Sequence, residues 1–95
     1  MAGVTTRQEV FGAAIDKGGI TLSGSSQPLV DANSSRSVLE ISNASDADIS
    51  IDFVGTGAVA GSGTILPAHS SAYWPTTIGV NVIGAGVGRV AYTEW

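Results

Sequence analysis

The sequence has no cysteine and a single histidine, His69. Disulfides are excluded, and a structural zinc site lacks its ligand set. Charge is scarce. Only 13 % of residues are charged, about half of the ~25 % usual in soluble domains. The four basic residues, Arg7, Lys17, Arg36 and Arg89, are scattered, and the net charge is −4. Binding to nucleic acid needs several cations on one face, so that class is excluded. Long apolar runs are missing too. No stretch approaches the ~18 residues of a membrane-spanning helix. The opening residues, MAGVTTRQEVFGAAIDKGG, show no basic segment followed by an apolar core. They do not read as a secretory signal, and the expected place of synthesis and assembly is a cytoplasm.

What is present is a chain of 95 residues, 43 % hydrophobic but only 6 % aromatic. That is one domain with a modest core. Domains of this size are often stapled by disulfides, a metal or a partner subunit. With the first two absent, association with other chains is the staple that remains. A weakly charged surface rich in Ser, Thr, Ala and Gly fits the same expectation.

The text divides at residue 18. Residues 1–18 read as an N-terminal arm, with Val10, Phe11 and Ile15 as apolar anchors for a neighbour. Residues 19–95 read as a single all-β domain. Short alternating runs are broken by turn residues, the pattern of a sandwich or barrel. Ile20–Ser23 and Gln27–Val30 are short strands, the second pushed to an edge by Pro28. Arg36–Asn43 is a strand with Leu39 and Ile41 on one face and Arg36, Val38, Glu40 and Ser42 on the other. In Asp48–Val54, the clearest period-two segment, Ile49, Ile51 and Phe53 point inward. Asp48, Ser50 and Asp52 face water. The short link between these two runs predicts an antiparallel hairpin. Gly55–Gly63 is a loop. Thr64–Leu66, Ser71–Trp74, Gly79–Ile83 and Arg89–Trp95 complete about eight strands. No helix is convincing.

No chemical motif survives inspection. Gly55-Thr56-Gly57 has Ala60 where a dinucleotide cradle needs its third glycine, and Gly84, Gly86 and Gly88 lead into a strand. Both stretches read as turns. His69 has abundant serines around it but no nucleophile elbow. Asp48 and Asp52 are ~13 Å apart along a strand, too far for a glycosidase pair. Asp46 and Asp48 are closer and with Asp31 invite a calcium test, but no EF-hand loop is present. Asn33-Ser34-Ser35 and Asn43-Ala44-Ser45 read as turns. The reading is therefore no enzyme, no cofactor and no metal. The aromatic residues are the remaining candidates. Tyr73 and Trp74 are neighbours and must face opposite sides of a strand. One belongs to the core and the other to an interface. Trp95 packs on the sandwich or on a partner. Exposed aromatics serve equally as protein anchors and as stacking platforms for sugar rings.

The chain runs through Ile20-Thr21-Leu22-Ser23-Gly24-Ser25-Ser26-Gln27, then Leu29-Val30-Asp31-Ala32-Asn33-Ser34-Ser35-Arg36, then Val38-Leu39-Glu40-Ile41-Ser42-Asn43. An alternating strand (Ile49 to Phe53), a Gly/Ala loop, Leu66-Pro67 and a closing pair of strands follow. This arrangement, from Ile20 to Trp95, resembles small phage and prophage virion proteins. The resemblance implies a jelly-roll-like sandwich on a virion, as a capsid decoration (cement) protein, a head fibre or a tail adaptor. It implies no catalytic residues. Its partners would be the major capsid protein or other virion proteins and further copies of the chain, a trimer first. A receptor- or carbohydrate-binding module of a fibre or tail is the alternative. Many members of that group place glycine where this chain has Ala68-His69.

Overall fold

A computed structural model of the chain describes residues 13–95. Eight strands follow one another: β1 (Asp16–Thr21), β2 (Gln27–Val30), β3 (Leu39–Asn43), β4 (Ile49–Asp52), β5 (Thr64–Leu66), β6 (Ser70–Trp74), β7 (Val80–Gly84) and β8 (Arg89–Glu94). They form two four-stranded sheets, β1-β8-β3-β6 and β2-β7-β4-β5, with every pair antiparallel. Two sheets of four strands in this order make a jelly roll.

The core lies between the sheets. Leu39, Ile41 and Val90 point inward from one sheet and Ile49, Ile51, Leu66, Val80 and Val82 from the other; all are buried. The period-two pattern of β4 predicts this face, and Phe53 continues it against Trp74 at a ring separation of 5.3 Å. Pro28 sits in β2, an outermost strand, where its missing amide costs no ladder bond.

Four expectations from the sequence need correction. First, β3 and β4 do not form a hairpin: they lie in opposite sheets. Asn43, fully buried, makes the corner. Its amide nitrogen donates to the carbonyls of Ala47, Leu66 and Pro67, and its oxygen accepts from the Ser45 amide and hydroxyl. A side chain that satisfies five backbone and hydroxyl groups lets the chain change sheets without orphaned carbonyls. Second, residues 16–18, counted with the arm, belong to β1 and pair with β8. Glycines at 18 and 19 hid the strand. Third, β3 starts at Leu39, and Arg36 is not on a strand face but buried. Fourth, Ser50 is buried rather than wet, because the β4–β5 loop covers it and its hydroxyl accepts from the Gly61 amide at 2.8 Å.

His69 has φ 56°, the one described non-glycine residue in the left-handed region. It occupies the turn between β5 and β6, in a conformation that glycine adopts without steric cost.

Candidate functional site

Val10 and Phe11 lie outside the described residues. Ile15 is exposed and its amide donates to the Glu94 carbonyl at 2.8 Å. Tyr73 and Trp74 part as strand alternation requires. Trp74 packs on the core, while Tyr73 faces outward with 43 % of its surface exposed. Trp95 lies on the sandwich, exchanging backbone hydrogen bonds with Val38 in both directions at 2.9 Å. Its ring sits 6.5 Å from that of Tyr73. The structure thus brings Tyr73 and Trp95 together on one side of the molecule, and Ile15 is tied through its amide to Glu94, the residue that precedes Trp95.

The register defines the surface beside Tyr73. Lys17, Thr93, Glu40 and Tyr73 share one row on the face of the first sheet turned away from the core, with Glu40, directly opposite Tyr73, buried, and Gly19, Ala91, Ser42 and Ser71 share the next row. Tyr73 therefore borders a floor of small side chains.

A second surface was not visible in the sequence. The β4–β5 loop buries Ala58 and is otherwise held by side-chain hydrogen bonds to its backbone. Asp52 accepts from the amides of Val54 (2.8 Å), Gly55 (3.1 Å) and Gly57 (2.9 Å), and Asn81 approaches it at 3.5 Å. Ser26 accepts from the Ala58 amide at 2.8 Å. These bonds favour the ionised carboxylate. The Val54 amide, opposed by partial burial and helped by Gly57, Asn81 and Gly55, holds the Asp52 pKa below the usual range. The loop so pinned presents Val54 and Val59 to water, 81 % and 63 % exposed. A groove of about 300 Å³ lies on one side of Phe53–Val54 and one of about 340 Å³ on the other. The first is lined by Val59 and Asp52, the second by Pro28, Ile78 and Asp31.

At the end of the sandwich where β8 finishes, Arg36 is buried. Its guanidinium donates to Glu94 Oε1 (2.7 Å) and to the carbonyls of Thr76 (2.7 Å), Ile78 (2.6 Å) and Asp31 (3.2 Å). Asn33 adds a longer bond to the same Glu94 oxygen, 3.4 Å. Tyr92 stands nearby. Burial raises its pKa, and the negative charges of Asp16, Glu94 and Asp31 add to the effect. This network ties the 31–38 loop and the 76–78 loop to β8. Its members are 58 residues apart in the chain, so no local pattern announces it.

The residues tested for chemistry have structural partners. Asp46 accepts from the Val87 amide and Asp48 from the Ala68 amide. Among the described residues no three His, Asp or Glu side chains converge on a point that could hold a metal ion. Asn33 accepts from the amide of Ser35, closing an Asx turn.

In comparisons with known proteins, no family model, no curated protein and no solved structure matches the chain.

Proposed function

We propose that this chain is a structural protein of a bacteriophage virion. It decorates the head shell, binding where shell subunits meet and reinforcing them. The observation that carries the reading is the jelly-roll strand order, an architecture used by viral capsid and lectin domains. A fold alone does not assign a function. Two further features support this one. The segments from Ile20 to Asn43 resemble small virion proteins. The surface combines little charge with exposed Val54, Val59 and Val87, the composition of a surface that meets other chains.

The mechanism is additive burial. The N-terminal arm, with Val10 and Phe11, and the apolar loop tips cover area across a seam. Each contact is weak, and repetition around a closed ring of copies multiplies them. Co-sedimentation with heads stripped of accessory proteins tests this. Saturable binding at a fixed ratio to the major capsid subunit is expected, and the ratio reports the symmetry axis. No binding to heads would remove the reading.

A second reading rests on Tyr73. Its exposed ring beside the small-residue floor suits stacking on a sugar, as in a receptor-binding module of a fibre or tail. Trp95, 6.5 Å away, is a built-in reporter. Host polysaccharide would change tryptophan fluorescence if this reading holds, and a flat titration would count against it.

A further inference from the structure

Among the described strands, the outermost are β1 and β6 in the first sheet and β2 and β5 in the second. Such a strand offers a row of main-chain groups that can pair with another chain, and folds block it with charge, proline, a bulge or shortness. Three of the four are blocked in this way. β1 carries Asp16 and Lys17; its Lys17 amide donates to Asp16 Oδ1 at 2.8 Å, and its Thr21 carbonyl accepts from Gln27 Nε2 at 3.0 Å. β2 holds Pro28 and a break in register between Pro28 and Val30. β5 has 3 residues, and its Leu66 carbonyl accepts from Asn43. β6 has none of these devices. Ser70–Trp74 is 5 residues long, free of charge and proline, and in unbroken register with β3. We infer that β6 pairs antiparallel with β6 of a second copy, about a two-fold axis at Ala72, so that two first sheets join into one.

The register fixes which groups this edge offers. Val38 and Trp95 exchange main-chain hydrogen bonds in both directions, and the Ala44 amide donates to the Arg89 carbonyl. Even-numbered residues of this stretch therefore turn their main-chain groups to β8, and Leu39, Ile41 and Asn43 turn theirs to β6. Their partners there are Trp74, Ala72 and Ser70. The N–H and C=O groups of Ser71 and Tyr73 consequently point off the edge of the sheet. About an axis at Ala72, Ser71 of one copy meets Tyr73 of the other, and each such pair can exchange both of its N–H···O bonds. Only the main chain of Tyr73 is used, and its ring keeps its contact with Trp95.

Two observations select a second copy as the partner. The first is the order of sizes along β6: Ser70 and Ser71, then Ala72, then Tyr73 and Trp74. Antiparallel pairing about Ala72 sets Trp74 against Ser70 on the core side and Tyr73 against Ser71 on the outer side. Each aromatic thus faces a serine of the copy. The second is charge. The chain carries a net −4, yet residues 53–88 contain no Asp, Glu, Lys or Arg. β5 and β6, side by side at one flank of the sandwich, both lie in that stretch. This flank can therefore meet its own copy without bringing like charges together. Asp48 reaches only the Ala68 amide, in the turn before the paired segment. Glu40 lies opposite Tyr73 on β3, and two such carboxylates would stand at least three strand spacings apart, ~14 Å, beyond the screening length of ~8 Å. The contact is isologous and closes at two copies.

The absence of cysteine makes the test clean. Ala72→Cys and Ser70→Cys versions of the full chain are mildly oxidised, each by itself. Facing Ala72 positions would form the close type of antiparallel pair, with Cα atoms ~4.5 Å apart, within the reach of a disulfide. Two Ser70 positions would stand ~13 Å apart along the strands, beyond that reach. Both residues are half-buried on the same face of β6, so accessibility does not separate them. Ala72→Cys should crosslink to dimers and Ser70→Cys should not. Equal yields, or no dimer from Ala72→Cys, would overturn the inference.

Sedimentation gives an independent reading. The parent chain should run as a dimer. Ser71→Lys, a cation at an exposed position of the edge, should raise the dissociation constant of that dimer about tenfold or more, with an unchanged circular-dichroism spectrum. A monomeric parent chain, or a Ser71→Lys variant that dimerises as the parent does, would also overturn the inference. The crosslinking does not depend on the lysine variant and decides the matter if that variant fails to fold. No heads are present in either measurement, so failure of head binding and failure of this contact are distinguishable.

Discussion

The guanidinium of Arg36 and the carboxylate of Glu94 meet at 2.7 Å with side-chain exposures of 0 % and 6 %. This is a buried ion pair in a chain that has few charges to spend. Its value lies less in mutual attraction than in what each partner would cost alone. Arg36 also serves the Thr76, Ile78 and Asp31 carbonyls. Arg36→Met should therefore lose ~3–5 kcal/mol, since a carboxylate and three carbonyls are left unsatisfied. Glu94→Gln keeps an acceptor for Arg36 and should lose ~1–3 kcal/mol. Urea midpoints at constant slope measure both, and the order of the two losses is the discriminating result.

Asp52 makes the acid limb of stability predictable. Its pKa is lowered from 3.8 in the folded protein. The unfolded chain takes up the proton first as pH falls, so the Asp52 contribution is present above 3.8 and lost as pH drops through the lowered folded value. Asp52→Asn should flatten this limb. It should also speed hydrogen exchange at the amides of Val54, Gly55 and Gly57, which the carboxylate now holds. Unchanged exchange at all three would show that the loop is fixed by something else.

Tyr92 acts at the other extreme. Its folded pKa is raised above 10.0, so the unfolded state ionises first. The Tyr92 contribution is intact below pH 10 and is lost as pH climbs from there through the raised value. Tyr92→Phe should lessen the alkaline loss of stability, read from thermal midpoints across that range.

Gly18 and Tyr92 are matched across β1 and β8. A Cβ at position 18 would stand 2.7 Å from the Tyr92 hydroxyl and 2.8 Å from two ring carbons. Gly18→Ala should cost ~1–3 kcal/mol through overpacking. Most of that loss should disappear in the Tyr92→Leu background. A double-mutant cycle showing simple additivity would mean the ring is not what glycine accommodates.

His69 tests the turn between β5 and β6. At φ 56° a β-branched side chain is strained, so His69→Val should lose ~1–2 kcal/mol per the cost of the left-handed region. His69→Gly should fall within about 1 kcal/mol of the parent, relief of strain offsetting the entropy of glycine. Thermal denaturation of the two variants decides it.

Legibility in the sequence followed the range of the forces involved. β2 and β5 stand where alternation and Pro28 predict them, and the inward set Ile49, Ile51 and Phe53 is a period-two pattern that needs no long-range information. The split of Tyr73 from Trp74 is likewise a property of any strand. The missed features all depend on residues distant in the chain. A four-residue link looks like a hairpin until Asn43 is seen to bind the carbonyls of Leu66 and Pro67 at the end of β5. Arg36 looks solvated until Glu94 arrives 58 residues later. β1 was obscured because glycine at 18 and 19 carries no periodicity, although the reason for Gly18 is the Tyr92 ring packed over it. The groove beside Phe53–Val54 was hidden for the same reason: a Gly/Ala loop reads as flexible unless the side chains that pin it are known.

The strand order has a kinetic meaning. Among the eight strands only β4 and β5 are both consecutive and paired, and β8 lies between β1 and β3. During synthesis the first sheet waits for the last described strand before any of its central ladder can zip. Such non-local pairing places the chain among slow folders, in the millisecond-to-second range. Until β8 emerges, the apolar faces of β3 and β4 are exposed together, which makes a stalled or shortened chain the species most prone to aggregate.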